Sequence, residues 1–429
     1  MTLVLVVLFG LMLLGIPVAF AILSAGMAYL ATTGGSMLVV AQRLIYGLNS
    51  FTLLAVPLFI LVGNLMDFGG ISKRLTDWAK SILGWLPGGL GIVTVFSCAI
   101  FAALTGSGPA TVAAIGSIML PSMLKAGYSR ETSAGLVASA GALGPIIPPS
   151  IPMIIYGVTM NLSIPAMFMA GVVPGLVIAL ALSLVNVVFA YRNPEVLKHA
   201  KTMKFDFKES MKLFWKALGA LGLPVLILGG IYGGIFTPTE SAAVGIVYAL
   251  ILGFALKELK VKDLPKILIN SLKTSTMVNF IIAAASLFSW VVSKSQIGIV
   301  ISNAFISFVG GSQALYLFVL VVVLLIVGCL MDNVAATLIL APILIPVGIA
   351  LGCNELHIGM LFCICLVVGF VTHPCGYSLF TAVSISGLNF KQIVKGALPF
   401  LLTEILLLFV FAYVPGIITW LPRLMGYGY

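Results

Sequence analysis

Thr105-Gly106-Ser107-Gly108-Pro109-Ala110-Thr111 and Met331-Asp332-Asn333-Val334-Ala335-Ala336-Thr337 are the two stretches that decide the fold. At an offset of 226 residues Ser107 pairs with Asn333, Ala110 with Ala336 and Thr111 with Thr337. The register continues to Pro148 and Pro374, each 41 residues beyond Ser107 or Asn333. Each copy sits in an apolar segment, 87–121 or 311–346. Two spans and a turn need more than about 40 residues, which neither segment has. Gly106–Pro109 interrupts the first and Asp332-Asn333 the second. The length and the central break predict two re-entrant helical hairpins.

The surroundings are those of a polytopic membrane protein. Of 429 residues, 61% are hydrophobic and 8% charged, where a soluble domain carries about 25% charged residues. So few charges cannot cover a water-facing surface, so lipid must solvate most of the exterior. Further spans are expected at 3–32, 51–69, 131–160, 165–191, 217–236, 240–257, 272–293, 357–386 and 395–421. Residues 1–30 have no basic region before the apolar run, which argues against a cleaved leader. Pro17 is expected to kink that first span. The six cysteines lack metal-site spacing and read as small buried hydrophobes.

Basic residues set the orientation. With 192–216 in the cytoplasm, every Lys and Arg of the 22 except Arg43, Lys294 and Arg423 falls on that side. The N-terminus is then cytoplasmic and the C-terminus outside. The net charge of +10 is thereby explained by topology, and nucleic acid is not an expected partner. Lys204, Lys208, Lys212 and Lys216 have the spacing of an amphipathic helix lying on the membrane, in reach of anionic lipid. The two repeat copies enter from opposite faces. Such inverted repeats mark secondary transporters, whose site lies at the repeat interface.

The long spans after the hairpins are also interrupted. Gly144-Pro145-Ile146-Ile147-Pro148-Pro149-Ser150 breaks 131–160, and Thr372-His373-Pro374-Cys375-Gly376 breaks 357–386. Proline removes a donor and clashes with the preceding turn, and broken backbone at membrane depth is tolerated where it is buried or lines a polar cavity. Hairpin tips and breaks together offer oxygen ligands for Na⁺ as coupling ion. The first cage would use Ser107, Thr111 and carbonyls at Gly144 and Pro145. The second would use Asn333, Thr337, Thr372 and carbonyls near His373. The half-helices starting near Pro109 and Val334 turn positive ends to the centre and suit an anion. Gly108, Pro109, Pro148, Ser150, Asp332, Val334 and Gly376 are the expected substrate neighbours. For any one hydroxyl, capping and packing are the competing roles; duplication of the set favours the ion site.

Charges at depth are few. Asp332 could balance a bound cation. Glu240 and Asp67 read equally as helix-end charges, and Glu404 as a group that pairs within the bundle or faces a partner. His373 is either a hydrogen-bonding wedge or a proton carrier. No Lys or Arg is placed to grip a carboxylate at mid-membrane. There is no P-loop, no clustered metal ligands and no catalytic constellation, so no enzyme activity and no cofactor is expected.

At Gly106-Ser-Gly-Pro-Ala-Thr111, Gly144-Pro-Ile-Ile-Pro-Pro-Ser150, Pro238-Thr-Glu-Ser-Ala242 and Met331-Asp332 with Pro342 and Pro346, the chain resembles the large membrane subunit of tripartite ATP-independent periplasmic (TRAP) transporters. The resemblance covers essentially the whole chain, and the order of segments is specific where each alone is weak. One departure is Thr372-His-Pro-Cys-Gly376, where that family commonly has Thr-Pro-Pro-x-Gly. The resemblance implies an elevator mechanism, Na⁺ coupling, a small four-helix membrane subunit and a periplasmic binding protein as partners. It also implies an organic acid anion, of C4-dicarboxylate or sialic acid class, as substrate, and a bacterial inner-membrane location. Transport elements are then expected at 85–191 and 312–421, scaffold at 1–84 and 217–311, with 192–216 as the basic cytoplasmic loop. A stand-alone Na⁺/dicarboxylate carrier is the main alternative, separable by whether uptake needs the binding protein. A channel would give passive, fast flux instead.

Overall fold

The computed structural model describes residues 2–373 and 376–428, and among these the chain is helical with no strand. Seven of its helices are long and apolar enough to cross a membrane, or eight if one bent pair is taken as a span. Pro374, the second-copy partner of Pro148, and Cys375 lie outside the described residues.

The N-terminal part holds α1 (Thr2–Leu13), α2 (Val18–Thr33), α3 (Leu38–Leu48), α4 (Ala55–Phe68) and α5 (Ile71–Leu83). Pro17 does not kink a single span. Gly15 adopts a left-handed φ of 80° after α1, Pro17 caps α2, and the two helices pack against each other. A crossing count that takes 3–32 as one span therefore does not hold there. Helix α3 meets the next helix at 69°. Helix α5 was not expected from hydropathy. It buries Ile71, Leu75 and Ala79 at helical spacing while Arg74 on its exposed side pairs with Glu258 at 3.0 Å.

The first repeat comprises α6 (Gly89–Thr105), α7 (Gly108–Lys125), α8 (Arg130–Gly141), α9 (Ile151–Met160) and α10 (Ile164–Tyr191). After it come α11 (Pro194–Thr202), α12 (Phe207–Tyr232), α13 (Pro238–Ala255), α14 (Leu264–Ser295) and α15 (Ile297–Val309). The second repeat comprises α16 (Gln313–Leu330), α17 (Asn333–Ala350), α18 (Glu355–Gly369), α19 (Tyr377–Ser386) and α20 (Phe390–Tyr413), and α21 (Gly416–Leu424) ends the chain. The surface helix expected over Lys204–Lys216 does not form separately. Asp206 caps α12 by accepting N–H bonds from Lys208 and Glu209 at 2.8 and 3.3 Å. Lys208, Lys212 and Lys216 then occupy the opening turns of the span itself, because no breaker separates them from its apolar part.

The repeats correspond contact by contact. Helix α6 packs on α7, α8 and α10; α16 packs on α17, α18 and α20. The halves also exchange elements. Helix α9 of the first repeat packs on hairpin helix α17 of the second, and α19 of the second packs on α7 of the first. Helix α20 lies on α8, where Gly135 and Gly396 bring backbone against backbone with no room for a side chain. Every residue of α18 from Leu356 to Gly369 is buried, and so is every residue of α8 from Ser133 to Gly141. These two interrupted helices are the centre of the molecule. Outward faces are apolar. Leu176, Leu180, Leu184 and Val188 of α10 are exposed at every fourth residue, and so are Leu398, Leu402, Leu406 and Val410 of α20. Exposed leucines on one stripe fit lipid, not water.

Candidate ion and substrate site

Each hairpin turns by its own local chemistry. At the first tip Gly106 closes α6 with φ 60°, Ser107 is extended, and Pro109 stands in the first turn of α7. Glycine takes the left-handed cap without a Cβ penalty, and proline at a helix start loses only an N–H that had no partner. At the second tip Met331 and Asp332 are extended, and the Asp332 carboxylate accepts the Val334 N–H at 2.8 Å. Asp332 is thus the cap of α17, with its carboxylate spent on backbone.

The first tip is pressed against the first break. A methyl on Gly144 would stand 2.6 Å from the Ser107 carbonyl carbon and oxygen and 2.8 Å from the Gly108 nitrogen. One on Gly106 would stand 2.8 Å from the Pro149 oxygen. Pro145 and Pro148 are buried, and the Ser150 hydroxyl donates to the Pro145 carbonyl at 2.5 Å while capping α9. Thr111 is fully buried. Its hydroxyl donates to the Ser107 carbonyl at 2.8 Å and lies 3.3 Å from the Thr105 hydroxyl. Ser107, Thr111, Gly144, Pro145 and Gly108 are therefore brought together. Beside them a cavity of about 230 Å³ is lined by Thr105, Ser107, Asn64, Asp67 and Thr274, joining the tip to α4 and α14.

The second tip differs. Asn333 is 2% exposed, and neither oxygen nor nitrogen of its side-chain amide has a hydrogen-bond partner. Thr337 is fully buried and its hydroxyl is also unpartnered. Val334 is buried beside them. Gly328 of α16 packs directly on Leu366 and Gly369 of α18, just before the second break. Thr372 donates to the Val368 carbonyl at 3.0 Å. His373 is exposed and its ring lies 5.9 Å from the ring of Phe390. No hydrogen bond joins Thr372 or His373 to Asn333 or Thr337. Gly376 is buried where the chain passes the Phe370 and Thr372 carbonyls too closely for a side chain, so it closes the break.

One residue of the site was missed. Ser378 in the first turn of α19 is fully buried with an unpartnered hydroxyl, 3.4 Å from where a methyl on Gly108 would sit. It brings the second repeat to the first hairpin tip. A lone polar residue opening a half-helix just after a break is the signal that would have found it. Asn64 and Thr274 gave no signal, since each lies in an apolar span far away in sequence.

An orphaned buried hydroxyl or amide costs about 1–3 kcal/mol. Three such side chains, Asn333, Thr337 and Ser378, stand at the second hairpin tip and just after the second break. Residues 5–417 match the family described as tripartite ATP-independent periplasmic transporter, DctM component. The chain is 39% identical over 405 residues to the C4-dicarboxylate TRAP transporter large permease protein DctM of Pseudomonas aeruginosa, covering 94% of each. It is also 39% identical over 411 residues to the isethionate TRAP transporter permease protein DctMQ of Oleidesulfovibrio alaskensis, covering 95% of this chain but only 64% of that longer protein. The YdaH transporter of Alcanivorax borkumensis shares the fold, with a TM-score of 0.63 at 14% identity over 94% of this chain and 89% of that one. This chain belongs to the DctM-component family of tripartite ATP-independent periplasmic transporters.

Proposed function

We propose that the chain is the large subunit of a Na⁺-coupled uptake system for an organic acid anion, working by an elevator motion in a bacterial inner membrane. The observation that carries this reading is the second tip, where Asn333 and Thr337 bury three polar atoms with no protein partner. Na⁺ would take the Asn333 oxygen and the Thr337 hydroxyl as ligands there. It would take the Thr111 hydroxyl and carbonyls at the first tip. The anion would lie between, at Gly108, Ser378 and the starts of α7 and α17. The substrate class is a C4-dicarboxylate, a sialic acid or a similar small acid, in line with relatives named for C4-dicarboxylates and isethionate. Residues 85–191 and 312–421 would move as one body against 1–84 and 217–311. The basic segments would face the cytoplasm and the C-terminus the outside. A small four-helix subunit and a periplasmic binding protein would complete the system; DctMQ, longer than this chain, is consistent with such a partner being fused in some relatives.

The test is uptake of radiolabelled succinate, isethionate and N-acetylneuraminate into proteoliposomes holding the chain and its two partners. Accumulation is expected under an inward Na⁺ gradient without ATP. Equal uptake with K⁺ in place of Na⁺ would remove the coupling. Full uptake without the binding protein would favour the stand-alone carrier.

A further inference from the structure

A second, larger cavity, of about 580 Å³, lies between α3, α14 and the site elements α9 and α17. That size suits a small ligand. Its far wall carries Thr159 of α9 and Leu338 of α17, the residue after Thr337. Its near wall carries the only charged residue among those lining it, Arg43 of α3. Gly47 lets α3 approach α14 at Ser286, one turn before Trp290. The Arg43 guanidinium carbon is consequently held 5.5 Å from the Tyr46 ring centre and 5.6 Å from that of Trp290.

Arg43 is half-buried, and no acceptor among the described residues takes its N–H groups. The one ion pair among those residues is Arg74–Glu258, and no carboxylate lines the cavity. A guanidinium held over aromatic faces keeps its fork of donors fixed and free, the arrangement that grips a carboxylate through two parallel bonds. Asn49, Ser286, Ser289 and Ser293 line the same cavity with further polar groups. In the proposed orientation Arg43 stands at the outer mouth. The smaller cavity at the first tip carries Asp67 instead, so the two mouths differ in sign.

We infer that Arg43, set between Tyr46 and Trp290, is the group that binds the acid's carboxylate or sulfonate in an entry vestibule walled by α9 and α17. This rests on the anion-uptake reading and adds to it a docking group outside the hairpin tips. A lipid phosphate offers the same anionic chemistry, and the test separates the two sources.

The assembled complex is placed in nanodiscs of phosphatidylcholine, with or without phosphatidylglycerol. Phenylglyoxal attack on Arg43 is followed by mass spectrometry of its peptide. The acid taken up by the wild-type complex should slow that attack at least tenfold, saturably and in both lipids, and its methyl ester should not. Arg43→Gln should weaken equilibrium binding of the labelled acid about tenfold or more, the scale of a lost charge-assisted contact, with Arg43→Lys between. Uptake that persists while the acid leaves labelling unchanged would overturn the inference, as would slowing by phosphatidylglycerol alone or unweakened binding in Arg43→Gln. If Arg43→Gln fails to fold, labelling of the wild type still decides. A wild-type complex that takes up none of the acids would overturn the uptake reading itself and this inference with it.

Discussion

Gly144 of the first break and Ser107 of the first hairpin tip touch through backbone, at a distance that leaves no room for a methyl group. The contact fixes the Ser107 carbonyl, which already accepts the Thr111 hydroxyl. It makes the geometry of the first tip a property of two separate chain segments.

Gly144→Ala is therefore expected to damage both structure and transport. The clash is with backbone, so no side chain can swing aside to relieve it. Overpacking of this kind costs about 1–3 kcal/mol. Thermal unfolding in detergent should show a lower midpoint, and uptake per folded molecule should fall at least tenfold. A midpoint and uptake both equal to wild type would show that the tip and the break are not held together as described.

Ser378→Ala separates a ligand from a packing group. The hydroxyl is buried without a partner, so its removal should leave the unfolding midpoint unchanged or raised. If it faces the anion beside Gly108, the substrate concentration for half-maximal uptake should rise about tenfold. Unchanged substrate dependence would exclude Ser378 from the site.

The elevator reading makes a geometric demand. Asn64 of α4 and Ala110 of α7 line one cavity across the boundary between the proposed scaffold and the proposed moving elements. Ser117 of α7 and Ser384 of α19 are both exposed, on two helices of the proposed moving body that pack at Gly116 and Ile385. With native cysteines replaced, a cysteine pair at 64 and 110 should change its crosslinking between inward and outward conditions. The pair at 117 and 384 should not. Equal changes in both pairs would contradict motion as two bodies.

Much of this architecture was legible in the sequence, for physical reasons. Glycine and proline punctuate so strongly that both hairpins and both breaks could be read from Gly106–Pro109, Asp332-Asn333, Gly144–Pro149 and Thr372–Gly376. Pairing at a fixed offset identified Ser107 with Asn333 and Thr111 with Thr337, and the fold puts Ser107 and Thr111 at one tip and Asn333 and Thr337 at the other. What the sequence hid was tertiary. Ser378 reaches the first tip only because α19 crosses onto α7, and no local pattern encodes that exchange. Nor does any local pattern show that the His373 ring lies against Phe390 of the next helix. Pro17 reads as a kink from sequence alone, whereas the left-handed Gly15 and the packing of α1 on α2 make it a turn between two helices.

The most direct measurement is the Na⁺ concentration for half-maximal uptake in Thr337→Ala, beside Thr111→Ala and Val334→Ala. Thr337 has no hydrogen bond to lose, so its variant should fold as well as wild type, whereas Thr111→Ala should lose stability by about 0.5–1.5 kcal/mol with its bond to Ser107. Both threonine variants should need roughly tenfold to 150-fold more Na⁺, the equivalent of about 1.5–3 kcal/mol for a contact to a charge. Val334→Ala should keep the wild-type Na⁺ dependence. An unchanged Na⁺ requirement in a well-folded Thr337→Ala would contradict the assignment of the second hairpin tip as a sodium site.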